Sequence, residues 1–247
     1  MRRKPEIRKK LNLSYLNWTN KTCSVGEDDL PALYCNTTIY PDFLALSGEP
    51  GLYWKTQNTG ICFYEYDDEM DGIHGLYEAI YHNDKKLLAE YKRRYQGVRF
   101  FITPDFSECG DVHAIENKYR LFKARIVGLW FMHELNAVVI PHVTYPLIKD
   151  IAYALTGLEE CSVVAFSTKG YVKDSTELNN LISAVKYTTD HLHLQAIVVY
   201  DACGDDSIVN RVFAYPKSKG VHIIVPGNTL KERNTALRKG GNNNEEQ

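Results

Sequence analysis

A chain of 247 residues, 44% hydrophobic and 24% charged, has the composition of a globular protein long enough to bury one substantial core. Its net charge of −2 excludes a global cation field for holding nucleic acid, and its longest apolar runs fall short of the roughly 18–20 residues that a membrane-spanning helix needs. Six cysteines without a Cys-x-x-Cys pair argue against a structural zinc site and against a small disulfide scaffold.

Residues 1–10 hold six Lys/Arg against one Glu, with few apolar anchors. The segment reads as a solvated tail; a sharper alternative is an arm that touches nucleic acid or an acidic partner. No apolar stretch of signal-peptide type follows it, so the Asn-x-Ser/Thr sequons at Asn12, Asn17, Asn20 and Asn36 read as chance. A cytoplasmic location with reduced thiols is the expectation. The expected organisation is a basic, partly disordered arm over 1–30, one α/β domain over 31–228, and a polar helix with a disordered tail over 229–247.

Residues 11–51 are punctuated by Pro31, Pro41 and Pro50, with a weak strand expected over 37–40. A clearer strand is expected over 61–66, ending in Asp67-Asp68. Apolar residues at helical spacing between Gly75 and Arg94 predict two helices split at Asn83-Asp84. From Gly97 the chain alternates. Strands are expected over 98–103, 137–142, 162–166, 196–200 and 221–225. Helices are expected over 113–134, 146–157, 176–192, 206–215 and 229–238, the third introduced by the capping sequence Asp174-Ser175-Thr176-Glu177. Such alternation with short connections predicts a mostly parallel sheet covered on both faces. Two architectures fit, a single-domain (β/α) barrel-like form and an open doubly wound parallel sheet. Polar residues end nearly every strand, which suits a ring better than a single switch point.

Those strand ends carry the specific signals. Phe101-Ile102-Thr103-Pro104-Asp105-Phe106-Ser107 is followed by Asn117-x-Tyr119-Arg120, Gly128-x-Trp130 and Val139-Ile140-Pro141. Val163-Val164-Ala165-x-Ser167-Thr168-x-Gly170 and Ile197-Val198-Val199-Tyr200 complete the series. Together they resemble the forty-four-seventeen domain-of-unknown-function family, carried by phages, plasmids and the genomes of Gram-positive bacteria and archaea, over about 31–228. The resemblance implies a mobile-element type of protein and supports fold and site location, with no reaction attached. Tyr145 stands where the family usually has Trp, and His142 where Asn is common. Asp201 stands where Gly usually follows the tyrosine.

Ligands of α/β proteins bind at the carboxyl ends of strands. Asp105 reads as a general base or metal ligand, or else as an Asx-turn residue, with Ser107 capping the same loop. His142 reads as an acid/base group or a hydrogen-bonded structural residue. Ser167, Thr168, Lys169 and Gly170 combine hydroxyls, a cation and a turn suited to cradling phosphate, without a Walker sequence. Tyr200 and Asp201 end the next strand. Asp105 and Asp201 are candidate ligands for Mg²⁺ or Mn²⁺, while Asp205 and Asp206 suit the following helix start. Arg120 and Arg125 offer an anion contact, though a salt-bridged helix face is preferred, and His191-x-His193 suits a helix C-terminus. The leading expectation is a small anionic, nucleotide- or phosphate-like ligand at the strand ends, with metal-assisted phosphoester hydrolysis and His142 as acid/base. The alternative is a non-catalytic accessory protein that binds a host protein or nucleic acid through the basic tails, Lys231, Arg233, Arg238 and Lys239 included. A glycosidase using Asp105 and Asp201 ranks last, for want of a glutamate at a firm strand end.

Overall fold

The computed structural model describes residues 11, 13–65, 72, 74–204 and 206–242. The basic segment 1–10, Asp67-Asp68, Asp205 and residues 243–247 lie outside the described residues. Helix α1 (Leu16–Thr19) and an antiparallel pair, β1 (Ser24–Val25) and β2 (Leu30–Pro31), open the described chain. Trp18 of α1 is buried, and its indole N–H donates to Glu134 at 3.0 Å.

Seven parallel strands follow. β3 (Phe43–Leu46), β4 (Thr59–Cys62), β5 (Phe100–Ile102) and β6 (Val138–Ile140) pair in chain order in one sheet. β7 (Val163–Ser167), β8 (Ala196–Tyr200) and β9 (His222–Ile224) form a second. The connections carry α2 (Leu76–His82), α3 (Lys85–Arg94), α4 (Ala114–Glu134), α5 (Ile151–Leu155), α6 (Ser175–His191), α7 (Ser207–Val212) and α8 (Ala214–Ser218), and α9 (Thr229–Asn242) closes the series. Every residue of β4, β5, β7 and β8 is buried, as strands covered on both faces require.

The two sheets meet edge to edge at both sides, through single parallel bridges. His142 bridges to Ala165, with the Val143 N–H donating to the Ala165 carbonyl at 3.0 Å, and Phe43 bridges to Gly227, with the Leu44 N–H donating to the Gly227 carbonyl at 2.8 Å. Neither seam carries a continuous ladder, so the barrel is not closed and the sheets remain open, in ring-like order. Pro141, whose carbonyl accepts the Ala165 N–H at 2.7 Å, stands where the first seam would need a further N–H donor, and proline has none.

Sequence-level expectations hold for most elements, with local exceptions. No strand forms over 37–40; the first parallel strand is Phe43–Leu46. There the Thr37 hydroxyl donates to the Ile39 carbonyl at 2.9 Å and accepts the Ile39 N–H at 3.2 Å, closing a local turn instead of joining a ladder. The helix expected over 146–157 is reduced to a single turn of 3₁₀ helix (Ile148–Asp150) followed by α5. That over 206–215 is divided at Phe213, ahead of Pro216, which cannot donate into the first helix. The split at Asn83-Asp84 and the Asp174 N-cap stand: Asp84 accepts the N–H groups of Lys86 and Leu87, and Asp174 those of Thr176 and Glu177.

Gly128 sets how closely α4 approaches the first sheet. A Cβ there would lie 3.0 Å from Cγ2 of Thr103, 3.3 Å from Leu33 and 3.4 Å from Val139. Gly128→Ala would gain helix propensity but overpack three buried neighbours. We expect a net loss of about 1 kcal/mol, read as a lowered urea midpoint at unchanged m-value.

Candidate functional site

The carboxyl ends of β4 to β8 bring one group of polar side chains together. At the end of β5 the Thr103 hydroxyl accepts the His142 N–H at 2.8 Å, which fixes the backbone from which the His142 ring projects. That ring is buried. Its Nδ1 lies 3.5 Å from Oδ1 of Asp105, an approach without hydrogen-bond geometry, and has no hydrogen-bond partner among the described residues. Burial holds the imidazole below its ordinary pKa, and the Asp105 carboxylate opposes this only in part. Asp105 itself stays partly open to solvent.

Two tyrosines continue the group. The Tyr64 ring, just past β4, meets His142 edge-on at 5.0 Å and lies 4.6 Å from the Tyr200 ring at the end of β8. Both phenolic oxygens are buried and have no hydrogen-bond partner among the described residues. Burial raises both phenols well above the ordinary tyrosine range, so both stay protonated and able to donate. The Lys169 ammonium reaches the same corner and donates to the Tyr64 carbonyl.

The remaining expected site residues serve the loops that hold this corner. The Ser167 hydroxyl accepts the Lys169 N–H at 3.0 Å, and Gly170 takes a left-handed φ of +91°. The Thr168 hydroxyl accepts the Ala202 N–H at 2.8 Å and donates to Oδ1 of Asp201 at 3.3 Å. Asp201 is fully buried; its Oδ1 also accepts the Cys203 N–H at 2.9 Å, and its Oδ2 lies 2.9 Å from the Lys231 ammonium of α9. Asp206 shares that ammonium at 2.9 Å. Burial alone would lower the Lys231 pKa, and the two carboxylates raise it above its ordinary value. Asp105 thus faces His142 while Asp201 faces Lys231, and among the described residues no group of three or more His, Cys, Asp or Glu side chains could hold a metal ion. The Ser107 carbonyl accepts from Arg120 at 2.7 Å. Arg125 is buried and donates to the Ala154 and Thr156 carbonyls at 3.0 and 3.2 Å, where α5 ends. His191 stacks on Tyr187, with ring centroids 3.7 Å apart.

Two further acids, neither of them a candidate from the sequence, lie near these strand ends. Glu65 follows β4, so a glutamate does stand near a strand end; it accepts from the Ser47 hydroxyl at 2.6 Å and the Gly48 N–H at 2.9 Å, closing the loop after β3. Glu108 lies three residues beyond Asp105. Its Oε1 is buried without a hydrogen-bond partner among the described residues, and burial, reinforced by Asp105, pushes its pKa up to about 8. Nothing in the local sequence distinguishes it from an exposed loop glutamate.

Among the described residues no helix is long and apolar enough to cross a membrane. Neither the curated proteins nor the solved structures return a match to this sequence. A family model does: it matches residues 24–216, well over half of the chain, and the protein belongs to that family, described as a domain of unknown function (DUF4417).

Proposed function

We propose that the protein binds a small oxygen-rich anion, phosphate- or nucleotide-like, at the carboxyl ends of its parallel strands. One observation carries this reading: Tyr64 and Tyr200 keep buried phenolic oxygens, and His142 a buried Nδ1, all without partners among the described residues and with their rings in contact. A buried polar group left unpaired costs roughly 1–3 kcal/mol, so a ligand that pairs with several at once recovers a large term on binding. Protonated phenols are donors, and an anionic oxygen is the strongest acceptor they can meet. The Lys169 ammonium beside Tyr64 adds favourable charge. In this reading neutral His142 accepts a proton from a water attacking a bound phosphoester, and Asp105, 3.5 Å from its Nδ1, offsets the charge that the ring gains.

Calorimetry with inorganic phosphate and a nucleoside monophosphate tests the reading. Tyr64→Phe and Tyr200→Phe should each weaken binding roughly five- to tenfold, about 1–1.4 kcal/mol. Neither should lower the melting temperature, since each removes a buried hydroxyl that has no described protein partner. Undetectable binding by the wild type, or equal affinity in both variants, would overturn it.

A further inference from the structure

We propose a second site, for a small primary amine with a compact apolar body, in the cavity between the loops that follow β5 and β6. The cavity measures about 160 Å³ and lies against the first turns of α4. Val112, Leu121, Pro146, Leu147 and Tyr153 line it, together with Glu108 and the charged groups of Lys118, Lys149 and Asp150. Val112 and Leu147 stay 38% and 40% exposed, large apolar side chains turned to solvent at a cavity they line. A space of this size accepts a body about as large as benzene.

The carboxyl group sets the ligand's polar end. Glu108 lines the cavity, and its Oε1 is buried without a partner among the described residues, so the carboxyl group at this wall has hydrogen-bonding capacity that the described protein groups leave unused. The charges around it favour a cation. Asp105 and Asp150 both act on Glu108 as negative neighbours. Of the opposing cations, Arg120 is engaged by Glu116 and the Ser107 carbonyl, and Arg125 by the Ala154 and Thr156 carbonyls. Lys118 is paired with Asp28 at 2.5 Å and lies 4.7 Å over the Tyr153 ring, while Lys149 is exposed at the rim. An alkylammonium group would place its N–H donors on the Glu108 carboxyl group and its hydrocarbon body among the apolar residues.

Glu108 is protonated near neutral pH, because burial and Asp105 push its pKa up to about 8. Pairing with an ammonium favours the carboxylate, so the carboxyl O–H bond breaks, the proton passes to buffer, and the ammonium keeps its own protons. An alcohol or a carboxylate would instead accept a hydrogen bond from the protonated acid and release none.

Calorimetry at pH 6.5 with benzylamine, benzyl alcohol and benzoate, repeated in two buffers of different ionisation enthalpy, separates these cases. Benzylamine should bind at least tenfold more tightly than benzyl alcohol and release close to one proton. Glu108→Gln should abolish both the preference and the proton release, and Leu147→Trp, which fills the cavity from its exposed rim, should block all three compounds while the circular dichroism stays native. Benzyl alcohol or benzoate binding as well as benzylamine, binding without proton release, or no binding would each overturn the proposal. Phosphate affinity at the strand-end site, measured in the same variants, reports separately on that reading.

Discussion

Asp201→Ala is expected to destabilise the protein by roughly 3–5 kcal/mol, the usual cost of removing one partner from a buried ion pair. Asp201 is fully buried, and the side chain holds three different groups: the Lys231 ammonium, the Thr168 hydroxyl and the Cys203 N–H. Alanine would leave the buried N–H unpaired, and Lys231, with its side chain only 24% exposed, would keep only the exposed Asp206 as counter-charge. The end of β8 and the start of α9 would lose their side-chain link, while the Asn228 amide keeps its bond to the main-chain carbonyl of residue 201, 3.0 Å in the wild type. Urea denaturation checks the size of the effect. A cycle with Lys231→Met locates its source: once the cation is gone, Asp201→Ala should cost less, by 1 kcal/mol or more. A loss below about 1 kcal/mol for the single variant would mean that the pair behaves as an exposed one and that Asp201 does not anchor α9.

Much of this architecture could be read from residues alone, because strand and helix periods are local. The run Ala196–Tyr200 is apolar throughout and bounded by polar residues, and it is a strand over that same span. Asn83 takes a left-handed φ of +54° and Asp84 caps the next helix, as an Asn-Asp break between two apolar periodicities suggests. The seams were not legible. Single bridges at His142–Ala165 and Phe43–Gly227 depend on two edges meeting in space, and no local pattern encodes that. At the strand ends the polar positions were legible, but not how each polar group is used. Thr168 and Asp201 hold a turn together and anchor α9, whereas Tyr64, which lies in a stretch that reads only as a strand, carries an unpartnered buried hydroxyl beside His142. Burial depends on the whole fold, so the same blind spot hid Glu108.

Glu108 also gives the protein an unusual pH dependence. A folded pKa of about 8 lies far above the roughly 4.3 of an unfolded glutamate, so the native state holds a proton that the unfolded chain has already lost. The stability contributed is full below the unfolded value and is lost as pH rises through the folded one. His142 works in the opposite sense: burial lowers its pKa, so its contribution is full above roughly 6.5 and lost as pH falls. His133, also lowered by burial, acts in the same range as His142. At pH 6.5 half of the unfolded histidine is still protonated, so each of the two histidines adds up to about 0.4 kcal/mol of stability by pH 8, in the wild type and in a Glu108 variant alike. Between pH 6.5 and pH 8 the Glu108 contribution should fall by about 1.6 kcal/mol for a folded pKa of about 8, and the difference between the wild type and a variant without this carboxyl group isolates it. Glu108→Gln, close in shape and unable to ionise, should remove that decline and be the more stable protein at pH 8. Urea midpoints of the two proteins at pH 6.5, 7.25 and 8 decide the matter, and parallel curves would show that Glu108 does not hold its proton. The same measurement bears on the amine site, because deprotonation and ammonium pairing favour one charged form of Glu108. Benzylamine should accordingly protect the wild type more at pH 8 than at pH 6.5, and benzyl alcohol should show no such gain.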